Sequence, residues 1–368
     1  MADRMSMVCL DDFEDFARTY LPKASFDYIN GGAGDELTCV ANRHAFNRYK
    51  LLPSVLKDVS KLSLHTTILG HQVDFPIGIA PTSLHKLAHH DGECATAAAA
   101  DDMNTMYTMS TYASSTMEEV AEKAPNCVKF LQVYIPSESG RLFLVDLIKR
   151  AERNNFSALV ITVDVLVLGT RYSDMRNNFN IPSHIQLKNA NRSFSNIGLP
   201  KFVDRSLANF SIDSSITWQD IKWLKSVTTL PTIVKGIMSA SDAALAVDYG
   251  AAAVWVSNHG GRHLDTVPAS IEVLQSVVSA VKGRCEVYID SGIRRGTDVL
   301  KCLALGANAV FVGRPILYGL AYNGKGGVKD VLQILRNELS AAMALSGCRN
   351  LSEIKRPLLV DEYALSKL

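Results

Sequence analysis

The 368-residue chain is predicted to fold as an α/β protein, a closed parallel (β/α)8 barrel of the TIM type with an N-terminal helical extension and a long loop after strand 4. Three observations lead to that class. Eight short, branched apolar runs recur along the chain, amphipathic stretches separate most of them, and polar residues gather at one end of every run. Eight alternations in one chain favour closure over a doubly wound open sheet. The expected organisation of residues 1–368 is a single domain. Residues 1–65 form the helical extension, 66–350 the barrel and 351–368 a C-terminal tail.

In the extension, Asp11–Tyr20 and Phe26–Ile29 are the clearest helical parts, and the segment is expected to cover the barrel or its bottom. Gly31-Gly32-Ala33-Gly34 does not open a helix after a strand, so it is no dinucleotide fingerprint; it reads as the turn ending the helix that carries Tyr28. The eight expected strands follow, each with its terminal groups. Pro76–Ala80 leads into Ala80-Pro81-Thr82, Thr105–Met109 into Ser110, and Val128–Tyr134 supplies Gln132 and Tyr134. Ala158–Asp164 supplies Thr162 and Asp164, with Arg171 shortly after; Thr232–Lys235 ends on Lys235. Ala252–Ser257 leads to Ser257 and His259, Glu286–Asp290 to Asp290 and Arg294, and Ala309–Val312 to Gly313 and Arg314. The helical stretches between them are Met117–Lys123, Arg141–Asn154, Ser241–Tyr249, Ala269–Lys282 and Thr297–Leu305. Residues 170–216 break the alternation with a polar, Asn- and Ser-rich connection of the length expected for a lid.

Composition narrows the function classes. A hydrophobic content of 47% and a charged fraction of 20% suit a globular enzyme, and a net charge of +1 gives no global field to recruit nucleic acid or a membrane. Seven scattered cysteines without a C-x-x-C pair read as reduced thiols rather than zinc ligands or disulfides. His85, His89 and His90 lie close together, but no metal is expected there; a loop or capping role is the default. The apolar run Ala158–Leu168 is interrupted by Asp164 and too short to span a membrane. The opening Met1-Ala2-Asp3-Arg4 is unlike a secretory signal. The closing Ser366-Lys367-Leu368 reads as a peroxisomal address recognised by an import receptor.

The chemistry concentrates at strand ends. Ser257-Asn258-His259-Gly260-Gly261-Arg262 sets an imidazole and a guanidinium on a glycine turn, a base beside a two-pronged grip for a small carboxylic acid. Asp290-Ser291-Gly292-Ile293-Arg294 and Val312-Gly313-Arg314-Pro315 follow the last two strands, where barrels seat a phosphate. Lys235 would stabilise a cofactor that turns anionic on reduction.

With Gln132-Val133-Tyr134, Thr162-Val163-Asp164 and Leu168-Gly169-Thr170-Arg171 added, the chain resembles the FMN-dependent 2-hydroxy acid oxidases, the glycolate oxidase family, over essentially its whole length. The resemblance implies FMN across the barrel mouth. Ala80, with Pro81 and Thr82 beside it, Ser110, Gln132, Thr162, Lys235 and Ser257 would hold its ring and ribityl chain; Asp290, Gly292, Arg294, Gly313 and Arg314 its ribityl hydroxyls and phosphate. Arg262 and Arg171 would clamp the substrate carboxylate, helped by Tyr28. Tyr134 would hydrogen-bond the 2-hydroxyl, His259 would be the base and Asp164 its partner. A 2-hydroxy acid and O2 would give a 2-oxo acid and hydrogen peroxide. The family also implies a homotetramer or octamer. Val165-Leu166 stands where the family usually has Thr-Pro, Ser291 where Gly is usual and His263 where Gln is common. Tyr112 replaces the Trp of glycolate oxidases over the substrate tail, closer to the vertebrate long-chain branch, and implies a preference for acids longer than glycolate. The alternatives are a glycolate-preferring oxidase, a same-fold dehydrogenase passing electrons to another carrier, a flavin-free isomerase and an inactive scaffold.

Overall fold

The computed structural model describes residues 6–189 and 213–361. Eight parallel strands close into a barrel: β4 (Ile77–Ile79), β5 (Met106–Ser110), β6 (Val128–Val133), β7 (Ala158–Thr162), β8 (Thr232–Ile237), β9 (Ala253–Val256), β10 (Glu286–Ile289) and β11 (Ala309–Val312), each bonded to the next and β11 back to β4. Every expected strand is present within one or two residues at its ends. The five expected helices are present too: α5 (Met117–Lys123), α6 (Arg141–Arg153), α9 (Ala240–Asp248), α10 (Ser270–Val281) and α11 (Gly296–Ala304). Helix α6 shows why pattern suffices: Leu144, Leu147, Ile148 and Ala151 are buried at helical spacing.

Side chains alternate across each strand, and that parity builds the site. Val128 and Phe130 on β6, Ala158 and Val160 on β7, Ile233 on β8, Trp255 on β9, Tyr288 on β10 and Phe311 on β11 form the interior cluster, while their neighbours pack outward under the helices. Two residues further along the same inward faces, the polar groups begin: Gln132, Thr162 and Lys235. Trp255 and Phe311, with ring centroids 4.0 Å apart, plug the barrel beneath them.

Some elements escaped the sequence reading. Helix α4 (Gly92–Asp102) is buried through small residues, Ala95, Ala97, Ala99 and Ala100, which carry little amphipathic signal. Helix α12 (Arg314–Leu345) packs against it and breaks at Asn323-Gly324, where backbone angles leave the helical region. The remaining described helices are α1 (Leu10–Tyr20), α2 (Lys23–Asn30), α3 (Leu37–His44), α7 (Tyr172–Arg176) and α8 (Trp218–Val227). The extension does not cover the bottom: α1 lies on α12, and α2 brings Tyr28 and Ile29 to the mouth. The interior cluster is instead closed off by the hairpin of β2 (Thr66–Ile68) and β3 (His71–Val73), whose Ile68 and Val73 join it. Nor is the chain after 350 a simple tail, since β12 (Leu359–Asp361) pairs antiparallel with β1 (Tyr49–Leu51). Residues 190–212 of the expected lid and Ser366-Lys367-Leu368 lie outside the described residues.

Candidate active site

One crevice, open to solvent, lies at the C-terminal ends of the barrel strands. Its floor is strand-borne. Ala80, Pro81 and Thr82 follow β4, Ser110 ends β5, Gln132 stands on β6, Thr162 on β7 and Lys235 on β8, and all of them line the crevice. These groups are already ordered among themselves. Ser110 Oγ donates to Gln132 Oε1 at 3.2 Å, and Gln132 Nε2 donates to Thr162 Oγ1 at 3.0 Å. Lys235 Nζ donates to Ser257 Oγ at 2.9 Å and pairs with Asp290 at 3.4 Å, with both charged side chains less than a tenth exposed.

Gly236 makes that placement possible. Its φ of +109° lies in the region glycine favours, the β8–β9 register shifts there, and a Cβ would meet Asp164 Cβ at 2.6 Å. The bulge brings the β8 backbone against Asp164. Asp164 Oδ1 in turn stands 3.0 Å from His259 Nδ1. A proton on Nδ1 leaves Nε2 as the free acceptor. Burial pushes the His259 pKa well below 6.5, and Lys235 and Arg262 push it the same way. The imidazole is therefore neutral at neutral pH, the state a base needs. Burial raises the Asp164 carboxyl, against the opposing pull of Lys235 and His263.

His259 sits at φ +57°, a left-handed conformation uncommon outside glycine, in the short turn after β9. The turn is over-determined by its neighbours. Asn258 and Asn42 exchange amide hydrogen bonds of 2.7 and 2.9 Å, and Asn258 Oδ1 also accepts the Gly261 N–H. Asn42, on α3, went unnoticed in the sequence because nothing local marks it. Thr82 has a similar hidden support: its hydroxyl meets His85 Nε2 at 2.6 Å, and buried Glu93 accepts the His85 N–H. His85 thus belongs to the scaffold behind the crevice. Ligand atoms of His89, His90 and Asp91 lie within 4.8 Å of one another on the surface, outside the crevice.

The roof comes from loops and α2. Tyr28, Tyr112, Tyr134, His259 and Arg262 line it. Tyr28 stacks on Phe179 at 4.4 Å, its hydroxyl bonds Ser83 Oγ at 2.8 Å, and the Arg262 and Arg171 guanidinium groups stand 5.3 and 5.6 Å from its ring centre. Arg262 Nη1 donates to the carbonyls of Tyr28 and Gly31, which fixes the guanidinium. Burial, followed by Arg171, lowers its pKa to about 10, so it stays charged. Arg171 is not on the crevice wall; its Nε pairs with Asp174 at 3.2 Å. Tyr112 and Tyr134 stack with centroids 5.4 Å apart.

At the far end, Asp290, Gly292, Arg294, Gly313 and Arg314 line the same crevice, joined by Ser291 and Ile293. Ser291 takes φ +82° where glycine is favoured, and its hydroxyl donates to Asp290. Arg294 Nε is buried without a protein partner. Burial lowers the Arg294 pKa, and nearby Arg43 and Arg314 add to that. A clustered, desolvated set of guanidinium groups with an orphaned donor demands an anion, and a phosphate fits it. The residues present therefore suit a flavin phosphate such as that of FMN, which Arg294 and Arg314 would hold. No helix among the described residues is long and apolar enough to cross a membrane, and all seven cysteines are free.

Comparison with known proteins agrees with this geometry. The chain is 47% identical over 358 residues to "Glycolate oxidase 3" of Arabidopsis thaliana, covering 96% of this chain and 95% of that one. It is 44% identical over 373 residues to "2-Hydroxyacid oxidase 1" of Homo sapiens, covering 98% and 99%. A crystal structure of mandelate oxidase with 3,3-difluoro-2-hydroxy-3-phenylpropionic acid superposes with a TM-score of 0.85 at 39% identity, covering 96% and 98%. The family described as FMN-dependent dehydrogenase matches residues 17–361, and this chain belongs to it.

Proposed function

We propose that this protein is an FMN-dependent oxidase of (S)-2-hydroxy acids, giving the 2-oxo acid and, with O2 as acceptor, hydrogen peroxide. The observation that carries the reading is His259, backed by Asp164 at 3.0 Å, in one crevice with Arg262 and with Arg294, whose buried Nε has no protein partner. FMN, when bound, supplies the two-electron acceptor that oxygen regenerates. Arg262 holds the substrate carboxylate, with Arg171 and the Tyr28 hydroxyl beside it, and Tyr134 bonds the 2-hydroxyl. His259 Nε2 takes the proton released at the 2-position, and the Asp164 carboxylate stabilises the imidazolium that forms. Ala80, Pro81, Thr82, Ser110, Gln132, Thr162 and Lys235 would hold the ring and ribityl chain, with Ser257 behind Lys235 rather than on the crevice wall. Asp290, Gly292, Arg294, Gly313 and Arg314 take the rest.

The preferred substrates are acids longer than glycolate. Tyr112 is the smaller aromatic at the tail position, and the exposed Leu166 and Val167 follow Asp164 and Val165 in the same loop. The experiment is a visible spectrum of the purified protein, anaerobic bleaching by glycolate, 2-hydroxyoctanoate and 2-hydroxypalmitate, then oxygen uptake. A colourless protein refutes the flavin, slow reoxidation by oxygen refutes the oxidase, and a glycolate preference refutes the chain-length reading. Ser366-Lys367-Leu368 would direct the chain to the peroxisome through its import receptor, which a fluorescent fusion with and without those residues tests. The assembly would be a homotetramer or octamer, read by sedimentation.

A further inference from the structure

His263 is half-buried beside the site and has no part in the chemistry above. Its ring meets that of His259 edge-on, with centroids 4.3 Å apart and planes at 88°. Its Nδ1 accepts the Gly169 N–H at 3.3 Å. Gly169 is two residues ahead of Arg171, and its backbone lies so close to the 262–263 backbone that a Cβ would come within 2.5 Å of Arg262 O and His263 O. The next carbonyl, Thr170 O, accepts the Gly34 N–H at 2.9 Å. The segment leading to Arg171 is therefore held by one side-chain acceptor and one backbone donor.

We propose that His263 is a positioning residue for substrate binding: a neutral imidazole whose Nδ1 pins Gly169, fixing the loop that carries Arg171 against the strap that carries Arg262. Arg262 stands on the crevice wall and Arg171 behind it, both against the Tyr28 ring, and the His263–Gly169 bond ties their two segments together. Its ring also packs against the base, so the same residue braces His259. Accepting at Nδ1 requires the neutral form. Burial holds the His263 pKa well below 6.5, and the adjacent His259 presses it the same way, while Asp164 opposes.

The inference rests on the reading that Arg171 and Arg262 grip the substrate carboxylate. Its test compares His263→Gln, which keeps an acceptor, with His263→Leu, which matches its bulk without one. The readout is the calorimetric affinity of the FMN-loaded enzyme for oxalate, an unreactive carboxylate, beside KM and kcat for a hydroxy acid. Loss of one hydrogen bond corresponds to roughly a 2–10-fold change. His263→Leu is expected to weaken oxalate binding and raise KM by that factor with kcat less affected, and His263→Gln to stay within about 2-fold of wild type. Equal affinities in the two variants, or a change in kcat alone, would overturn the proposal. FMN content and Tm report folding; should His263→Leu not fold, His263→Phe is the acceptor-free substitute. Wild-type enzyme that ignores oxalate would instead refute the carboxylate grip itself.

Discussion

The floor and the roof of the crevice are held by different means. On the floor, Gln132, Thr162 and Lys235 stand at fixed parity on paired strands and bond one another or their strand neighbours. In the roof, Tyr28, Tyr112 and Arg262 come from a helix and two loops and are held by contacts between those segments, such as the Tyr28–Phe179 stack and the bonds from Arg262 to the Tyr28 and Gly31 carbonyls, with Arg171 behind them paired to Asp174. A strand cannot shift one residue without turning its polar groups outward, whereas a loop can move an ångström at little cost. On the function proposed above, the floor suits the invariant partner, the flavin, and the roof whatever acid the enzyme takes.

The largest expected effect falls where the two meet, at His259. His259→Ala should lower kcat by roughly 10²–10⁴-fold while FMN stays bound, because a positioned base contributes about that much. Single-turnover flavin bleaching measures it, and near-normal bleaching would remove His259 from the base role. The same residue sets the acid limb. Its pKa is depressed in the folded protein, so kcat/KM should hold level down to the ordinary imidazole value of 6.5 and fall only below it. The linkage has the same sign: stability from the buried neutral imidazole is complete above the unfolded pKa and is lost as pH falls through the folded one. A limb centred above 6.5 would contradict the burial argument.

Lys235 probes the floor alone. Lys235→Met strands the buried Asp290 carboxylate and should cost about 3–5 kcal/mol, read by chemical denaturation. Adding Asp290→Asn should recover part of the loss. A mild effect that changes substrate preference instead would erase the distinction between floor and roof. Arg262→Lys probes the roof. A point charge cannot reproduce the guanidinium fork, so KM should rise roughly 10–100-fold with less change in kcat and unchanged FMN content.

This division also decides what could be seen in the sequence. Strand runs such as Ala309–Val312 and the polar groups two residues beyond their apolar faces follow a period of two, so the barrel and floor were readable from pattern alone. The glycine turn at His259 carried its own signal. What stayed hidden has no local mark. Asn42 locks the His259 turn from more than 200 residues away, Glu93 and His85 brace Thr82 from behind, and Ala-rich α4 has no polar face to betray it. The pairing of Arg171 with Asp174 spans the first turn of α7, a five-residue helix too short to stand out from the polar connection around it. Ser83 was missed although it directly follows Ala80-Pro81-Thr82, because its partner, the Tyr28 hydroxyl, lies 55 residues earlier.

The smallest effect should come from Tyr112, and it separates specificity from chemistry most cleanly. Tyr112 stacks on Tyr134 and lines the crevice. Replacing it by Trp adds a ring's width where the substrate tail runs, without touching His259, Asp164 or the guanidinium groups. The space lost is worth a methylene or so of substrate, and one methylene in an apolar pocket changes selectivity by roughly 10-fold at the low end. Tyr112→Trp should therefore lower kcat/KM for 2-hydroxyoctanoate about 10-fold relative to glycolate, with little change in glycolate turnover. Uniform loss on both acids would mean that Tyr112 acts through Tyr134 on the reacting hydroxyl, and would move it from the adaptable roof to the chemical core.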